Sequence, residues 1–285
     1  MAEINYHNKD RLFRFIFGNP ENKAWTLSLY NAVNGSSYTD PNTILITTIE
    51  NIIYMSMKND LSFLVSETMN FYEQQASFNP NMPIRFLVSA GMIYSKYIEM
   101  NNINIYSSVQ KMLPVPKLIC FYNGLKEVDD CVELSLSSAF PKGSAPDIEV
   151  KVKMLNINYG RNMDLLNACE PLRDYSWLID RIRYYRDLSE NIETAVDMAI
   201  SELAEDSVLK PFLMKHKAEV KNMCITEYDE TKTMNMFREE GREEGREEGI
   251  FYILANLVKD KLLDITEAAK RADMTIEEFK AAADL

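Results

Sequence analysis

Histidine is nearly missing from this chain of 285 residues, which has only His7 and His216. Two remote histidines leave a Ser-His-Asp or Cys-His hydrolase without a ready general base. They also cannot complete a zinc site with the four cysteines Cys120, Cys131, Cys169 and Cys224, which are scattered and form no CxxC pair. The simplest reading is reduced thiols in a cytoplasmic protein. There is no apolar run of about 18 residues or more, so no transmembrane helix and no membrane partner is expected. The opening "MAEINYHNKD" lacks the apolar core of a signal peptide. What is present is ordinary globular material, 46% apolar and 26% charged. That is enough for one sizeable core and a second, smaller one, and it excludes a disulfide-stapled miniprotein or a disordered tail.

The net charge is −12, which argues against a nucleic-acid partner until its distribution is read. Residues 1–117 are neutral, 118–190 carry −3, 191–235 carry −4 and 236–285 carry −5. Only the N-terminal segment is therefore electrostatically compatible with an anionic polymer.

Apolar residues at helical spacing run from Lys9 to about Asn34, with Gly18-Asn19-Pro20 as a break. Between Thr43 and Gln75, "TILITTIENIIYM", "DLSFLV" and "MNFYEQQ" read as three strands. "MPIRFLVSAGMIYSKYIEM" reads as a helix with Pro83 in its first turn. "PKLICFYNG" reads as a buried strand. "DIEVKVKMLNINYG" reads as a strand with one solvated face, and everything beyond Arg161 reads as helical. Helix, three strands, helix, strand is the order of an α/β domain with a mixed sheet flanked by helices, here followed by an all-helical extension. The divisions expected are a domain over 1–190, a helical extension over 191–249 and a small helical module over 250–285. The extension ends in "REEGREEGREEG", and Thr275 and Glu278 have capping-box spacing.

The chemistry-bearing constellation lies in "NDLSFLVSETMNFYEQQ". With a hairpin turn centred on Ser66-Glu67, opposed positions sum to 133, so Asp60 faces Glu73. Opposed residues share one side of a sheet, and Gln75 joins Glu73 there two residues on. Like charges so placed need a proton or a cation, and hard oxygen ligands suit Mg²⁺. Taking the next helix at about 100° per residue, Ser89 and Lys96 lie about 40° and 20° from Arg85, a polar and partly basic stripe suited to a DNA backbone. The plainer readings are an ion pair from Arg85 to Glu73 or Asp60, and a solvent face for Lys96. Arg181, Arg183 and Arg186, interleaved with Asp180 and Asp187, read as salt-bridged helix surface.

An Asp on one strand followed by Glu-x-Gln on the next resembles the PD-(D/E)xK nuclease superfamily. More narrowly, the chain resembles the Rpn family of recombination-promoting nucleases and transposases. The residues that carry this resemblance are "KDRLFRFIFG", "IENIIYMSMKNDLSFLV", "YEQQASFNPNMPIRFL", "MLNINYG" and the Glu-Gly-Arg repeat. It implies a restriction-endonuclease-like fold and a metal-dependent DNA endonuclease using Mg²⁺ or Mn²⁺ in transposition or recombination. Asp60 and Glu73 match the acidic positions, and the Gln74 backbone carbonyl would be a further metal ligand. Asp10 matches an acidic position of the opening motif, where the alternative is a helix-terminal role. Arg85 matches an arginine early in the following helix. Two positions depart from the pattern: Asn59 stands for proline and Gln75 for lysine. Losing the lysine removes a cation beside the scissile phosphate, which keeps open a second reading, an inactive DNA-binding or adaptor protein on the same fold.

The Arg-Glu-Glu-Gly repeat reads as a solvated spacer helix, with its glycine stripe as a possible self-association face. Beyond it, "IEEFKAAADL" has net charge −2 and is unsuited to a DNA groove. Leu254, Leu257, Leu262, Ile265, Ala268, Ala269, Met274 and Phe279 suggest instead a packing module, with homo-oligomer formation through the C-terminal helices.

Overall fold

The computed structural model describes residues 12–46, 61–189, 191–272 and 274–283; the side chains of residues 189, 227–241 and 243–248 fall outside the description. The chain forms two compact units, divided between Ile225 and Thr226.

The first unit opens with helix α1 (Leu12–Phe17), whose Leu12, Phe13, Ile16 and Phe17 are all buried. The break falls where Gly18-Asn19-Pro20 predicts it. Asn19 caps a 3-10 turn at Pro20–Asn22, accepting from the Glu21 amide at 3.0 Å. Helix α2 (Lys23–Asn34) follows and ends at Gly35, whose φ of +63° suits a residue without a Cβ. Strands β1 (Ile44–Ile46), β2 (Leu61–Val65) and β3 (Thr68–Gln75) are antiparallel neighbours. Helix α3 (Met82–Met100), with proline in its first turn, leads to β4 (Val115–Tyr122), which pairs parallel to β3. A parallel neighbour requires such a crossover connection. β6 (Lys151–Asn156) lies parallel on the far side of β4, and β5 (Cys131–Ser135) closes the edge antiparallel to β6. The result is a six-stranded mixed sheet in the order β1-β2-β3-β4-β6-β5.

β5 is an element that sequence reading does not find. It has five residues, with Val132 and Leu134 only half-buried between exposed Cys131 and Glu133. Its edge carries charge, with Glu133 3.0 Å from Lys151, a common protection of an open strand.

Helices α4 (Met163–Ala168), α5 (Glu170–Ser189), α6 (Ile192–Glu202) and α7 (Lys210–Lys215) complete this unit. The division expected after residue 190 is not where the unit ends. Val196, Ala199, Ile200, Leu209, Leu213 and Val220 belong to the same buried core as Phe63, Tyr72 and Phe121 of the sheet. Phe13 sits at its centre, with ring centroids 4.8 Å from Phe17, 5.2 Å from Phe121 and 5.6 Å from Tyr175. The opposite face of the sheet, with Met69, Phe71, Cys120, Tyr122, Val152 and Met154, packs on Met82, Phe86 and Ile93 of α3.

The second unit contains the C-terminal part of α8 (Lys217–Lys259), then α9 (Ile265–Arg271) and α10 (Ile276–Ala283). Leu254, Ala255, Ala268, Ala269, Phe279 and Ala283 form its core. The expected capping box is present: the Glu278 amide donates to Thr275 Oγ1 at 3.2 Å, and the Thr275 amide donates to Glu278 Oε2 at 3.0 Å. Leu262, expected in this core, is exposed. It follows Lys261, whose φ of +59° turns the chain between helices, and Leu263 takes the inward position.

Two outcomes follow. Phe13→Ala should lower unfolding free energy by about 3–5 kcal/mol in denaturant titration, the usual cost of emptying a buried aromatic site. Glu202 links α5 to α6 by accepting from Tyr185 Oη at 2.6 Å and Arg181 Nε at 3.2 Å. The Tyr185 hydrogen bond, opposed by desolvation and aided by Arg181, holds its carboxyl below the ordinary value. A depressed carboxylate stabilises the fold above its unfolded pKa, and that gain disappears as pH falls through the folded value. The melting temperatures of Glu202→Gln and the parent should therefore differ at neutral pH and converge in acid.

Candidate functional site

β3 is buried along almost its whole length, and its parity decides what each residue meets. Met69 and Phe71 point to the α3 side and Tyr72 to the other, so Glu73 and Gln75 continue the α3 side and Gln74 the opposite one. Glu73 is 3% exposed and Gln75 5%. In the parallel register Glu73 lies beside Cys120 and Gln75 beside Tyr122. The strand thus ends with a carboxylate and an amide set into an otherwise apolar layer.

The hairpin has the register expected from its sequence. Val65 pairs with Thr68, Leu64 with Met69 and Leu61 with Tyr72, each pair on the sum 133, and Ser66 in the turn has φ +53°. Asp60 and Asp10, expected as acidic ligands, lie outside the described residues.

Arg85, near the start of α3, places Nη2 2.9 Å from Glu73 Oε2, with its side chain one-third exposed. Of its two expected roles, the ion pair is the one seen. The rest of the anticipated stripe is not brought together with it. Ser89 is buried and donates to the Phe86 carbonyl at 3.3 Å. Lys96 is exposed, about 16 Å further along the helix axis at 1.5 Å per residue. Gln75 Nε2 is buried and has no hydrogen-bond partner among the described residues. Buried amides are nearly always paired, so this donor calls for a partner beyond the described residues.

The Gln74 backbone carbonyl has a definite direction. Gln75 O accepts from the Asn123 amide at 3.1 Å, toward β4. Successive strand carbonyls alternate, so Gln74 O is directed toward the β2 side of β3. Its side chain serves the other layer, where Nε2 donates to Asn123 Oδ1 at 2.6 Å.

The same strand ends hold a group whose place sequence reading misses. Arg183 turns inward, donating from Nη2 to the Asn123 carbonyl and from Nη1 to Asn158 Oδ1 at 3.1 Å. Desolvation pushes its pKa down. Its neighbours on α5 do form surface pairs, Arg181 with Glu202 and Arg186 with Asp187 at 2.6 Å. The partner of Arg181 is thus on α6, which no local spacing reveals.

Glu73 and Gln75 supply oxygen chemistry suited to Mg²⁺, and the Gln74 carbonyl is directed toward the β2 side of the same strand. Among the described residues, no three His, Cys, Asp or Glu side chains form a group able to hold a metal ion. Glu73 and Gln75 alone are too few donors to hold such an ion, and Asp60, the second acidic ligand expected, lies outside the described residues. Also among the described residues, no helix is long and apolar enough to cross a membrane. No family model matches the chain, and neither a curated protein nor a solved structure matches it.

The Glu73–Arg85 pair is open to direct measurement. Arg85→Met should destabilise the protein by roughly 1–3 kcal/mol, because it withdraws the cation from a buried carboxylate. With Glu73→Gln in the background, the same change should cost less. A double-mutant cycle showing no coupling would mean that the two charges do not interact in solution.

Proposed function

We propose that this protein is a Mg²⁺- or Mn²⁺-dependent DNA endonuclease of restriction-endonuclease-like fold, cytoplasmic and acting in transposition or recombination. The observation that carries the reading is the buried pair Glu73 and Gln75 on one face of β3, in a hairpin whose register runs on the sum that sets Asp60 opposite Glu73. The resemblance to the Rpn family supplies the reaction class.

Phosphodiester hydrolysis needs water delivered to phosphorus and negative charge stabilised as it develops. A bound divalent ion supplies charge stabilisation and a more acidic water. In this reading Asp60, Glu73 and the Gln74 carbonyl hold it. Gln75, which carries no charge, orients the attacking water through its amide. Arg85 reaches from solvent to Glu73 and offers the nearest described cation to an incoming phosphate. Lys96 contributes only along the flanking backbone of a longer duplex.

The existing Glu73–Arg85 pair also favours a second reading, in which the carboxylate serves only the fold and the protein binds DNA without cutting it. Full-length protein with supercoiled plasmid separates the two. Nicking that requires Mg²⁺ or Mn²⁺, stops in EDTA and falls on the order of 10²-fold or more in Asp60→Ala and Glu73→Ala is the expected result. Gln75→Lys should preserve or raise the rate by restoring a cation. Plasmid binding with no nicking under any metal would establish the second reading, and equal nicking in EDTA would remove the metal-dependent mechanism.

A further inference from the structure

Arg183 departs from the habit of the other arginines. Arg85, Arg161, Arg173, Arg181, Arg186 and Arg271 each pair with a carboxylate. Arg183, which is half-buried, meets none among the described residues. Its partners are the Asn123 carbonyl and Asn158 Oδ1, both uncharged. These take two of the roughly five N–H donors of a guanidinium and leave the rest over. The acids of its own helix do not serve it. Asp187, one turn on, is held by Arg186 at 2.6 Å, and Asp180, one turn back, acts on it only through space. Desolvation weighs most heavily on the charge of Arg183, and repulsion from Arg186 outranks attraction to Asp180. A neutral donor could tie the same two acceptors without these costs. The charge itself therefore has a use.

The fold puts this guanidinium where sheets of this kind take ligands. β3, β4 and β6 run parallel, so their carboxyl ends lie together. The chain leaves β3 toward α3 on one face and leaves β6 toward α4 and α5 on the other. Such a divergence opens a crevice beyond the strand ends. Asn123 directly follows β4, and Asn158 lies just beyond β6, so Arg183 bridges the two loops that border the crevice. Asn158 is fixed in turn, since its Nδ2 donates to the Gly124 carbonyl and to Asn156 Oδ1, each at 3.0 Å. The arginine is thus held in place before any ligand arrives.

We infer that Arg183, with Arg186 one turn along α5, binds a phosphate group at the carboxyl ends of β4 and β6. Phosphate suits the place on two counts. Its oxygens accept from a guanidinium fork in parallel pairs, and its negative charge relieves the repulsion between the two arginines. A small phosphate ester and a nucleic-acid backbone offer the same group, and the experiment below separates these sources. The inference is independent of the nuclease reading, since it uses neither Glu73 nor a metal.

The test titrates two probes, inorganic phosphate and a duplex oligonucleotide, against the full chain at fixed ionic strength. Binding is read by calorimetry and by the rise in melting temperature that a ligand of the folded state produces. Arg183→Met should weaken the response at least about tenfold, the usual loss of a hydrogen bond to a charged group. Should that variant fail to fold, Arg186→Gln, which removes only a surface pair with Asp187, should weaken it in the same direction. An arginine that merely ties the two loops would change stability in these variants without changing either titration. A response to inorganic phosphate alone that weakens in the variants assigns the group to a small ester. Oligonucleotide binding that weakens in them assigns it to a nucleic-acid backbone. No response to either probe, or responses unmoved by the substitutions, would overturn the inference.

Discussion

Everything near the candidate site depends on β3 being covered on both faces. A strand so placed sends alternate residues into different layers, and here the layers differ. One holds Tyr72 with Phe63 and Phe121 against α1, α2 and α5, while the other holds Met69 and Phe71 against α3. Once those apolar residues fix the parity, the polar end of the strand has no freedom. Glu73 and Gln75 must enter the α3 layer and Gln74 the other. A slip of one residue would exchange all of them, so the register that buries the aromatic residues is also the register that positions the carboxylate.

That parity was legible because alternation needs only local spacing. The hairpin register was legible too, since two polar residues, Ser66 and Glu67, separate runs of apolar and β-branched residues that pair symmetrically about them. Longer-range placement was not. α6 shows an apolar stripe of Ala195, Val196, Ala199 and Ile200, which announces a helix but not the surface it covers. It covers the core of the sheet unit, so the unit runs to Ile225 where composition suggested an earlier end. Arg183 fails for a related reason. Its neighbours alternate with acids as on a solvated helix, yet its guanidinium meets a carbonyl at the end of β4, a partner sixty residues away in the chain. The helical angle of Ser89 places it near Arg85 but does not reveal that it is buried.

Charge is divided unevenly along the chain. The neutral first 117 residues contain the hairpin and α3, including Glu73 and Arg85. The acidic balance sits beyond them and reaches −5 over the last fifty residues. The segment that contains α3 is therefore the least acidic part of the chain. The C-terminal helices lie in the acidic part, and α10 carries Glu277 and Glu278 in its first turn.

The pair of Glu73 with Arg85 gives the physical reason to look for function at this place. A buried ion pair is weak evidence for stability, because desolvation of both groups offsets most of their attraction, and well-packed apolar residues of similar volume often do as well or better. Such residues are close at hand in the same layer: Met69, Phe71, Phe86 and Cys120. An all-apolar end to β3 would extend that layer without the Gln75 amide, whose Nε2 has no partner among the described residues. The fold instead sets an acid and an amide there, side by side at the end of a strand, with the acid connected to solvent through a partly exposed arginine. Two local rules, apolar burial and paired polar groups, are broken at adjacent positions of one face. Two such departures on one face of one strand make this the first place to test for a ligand.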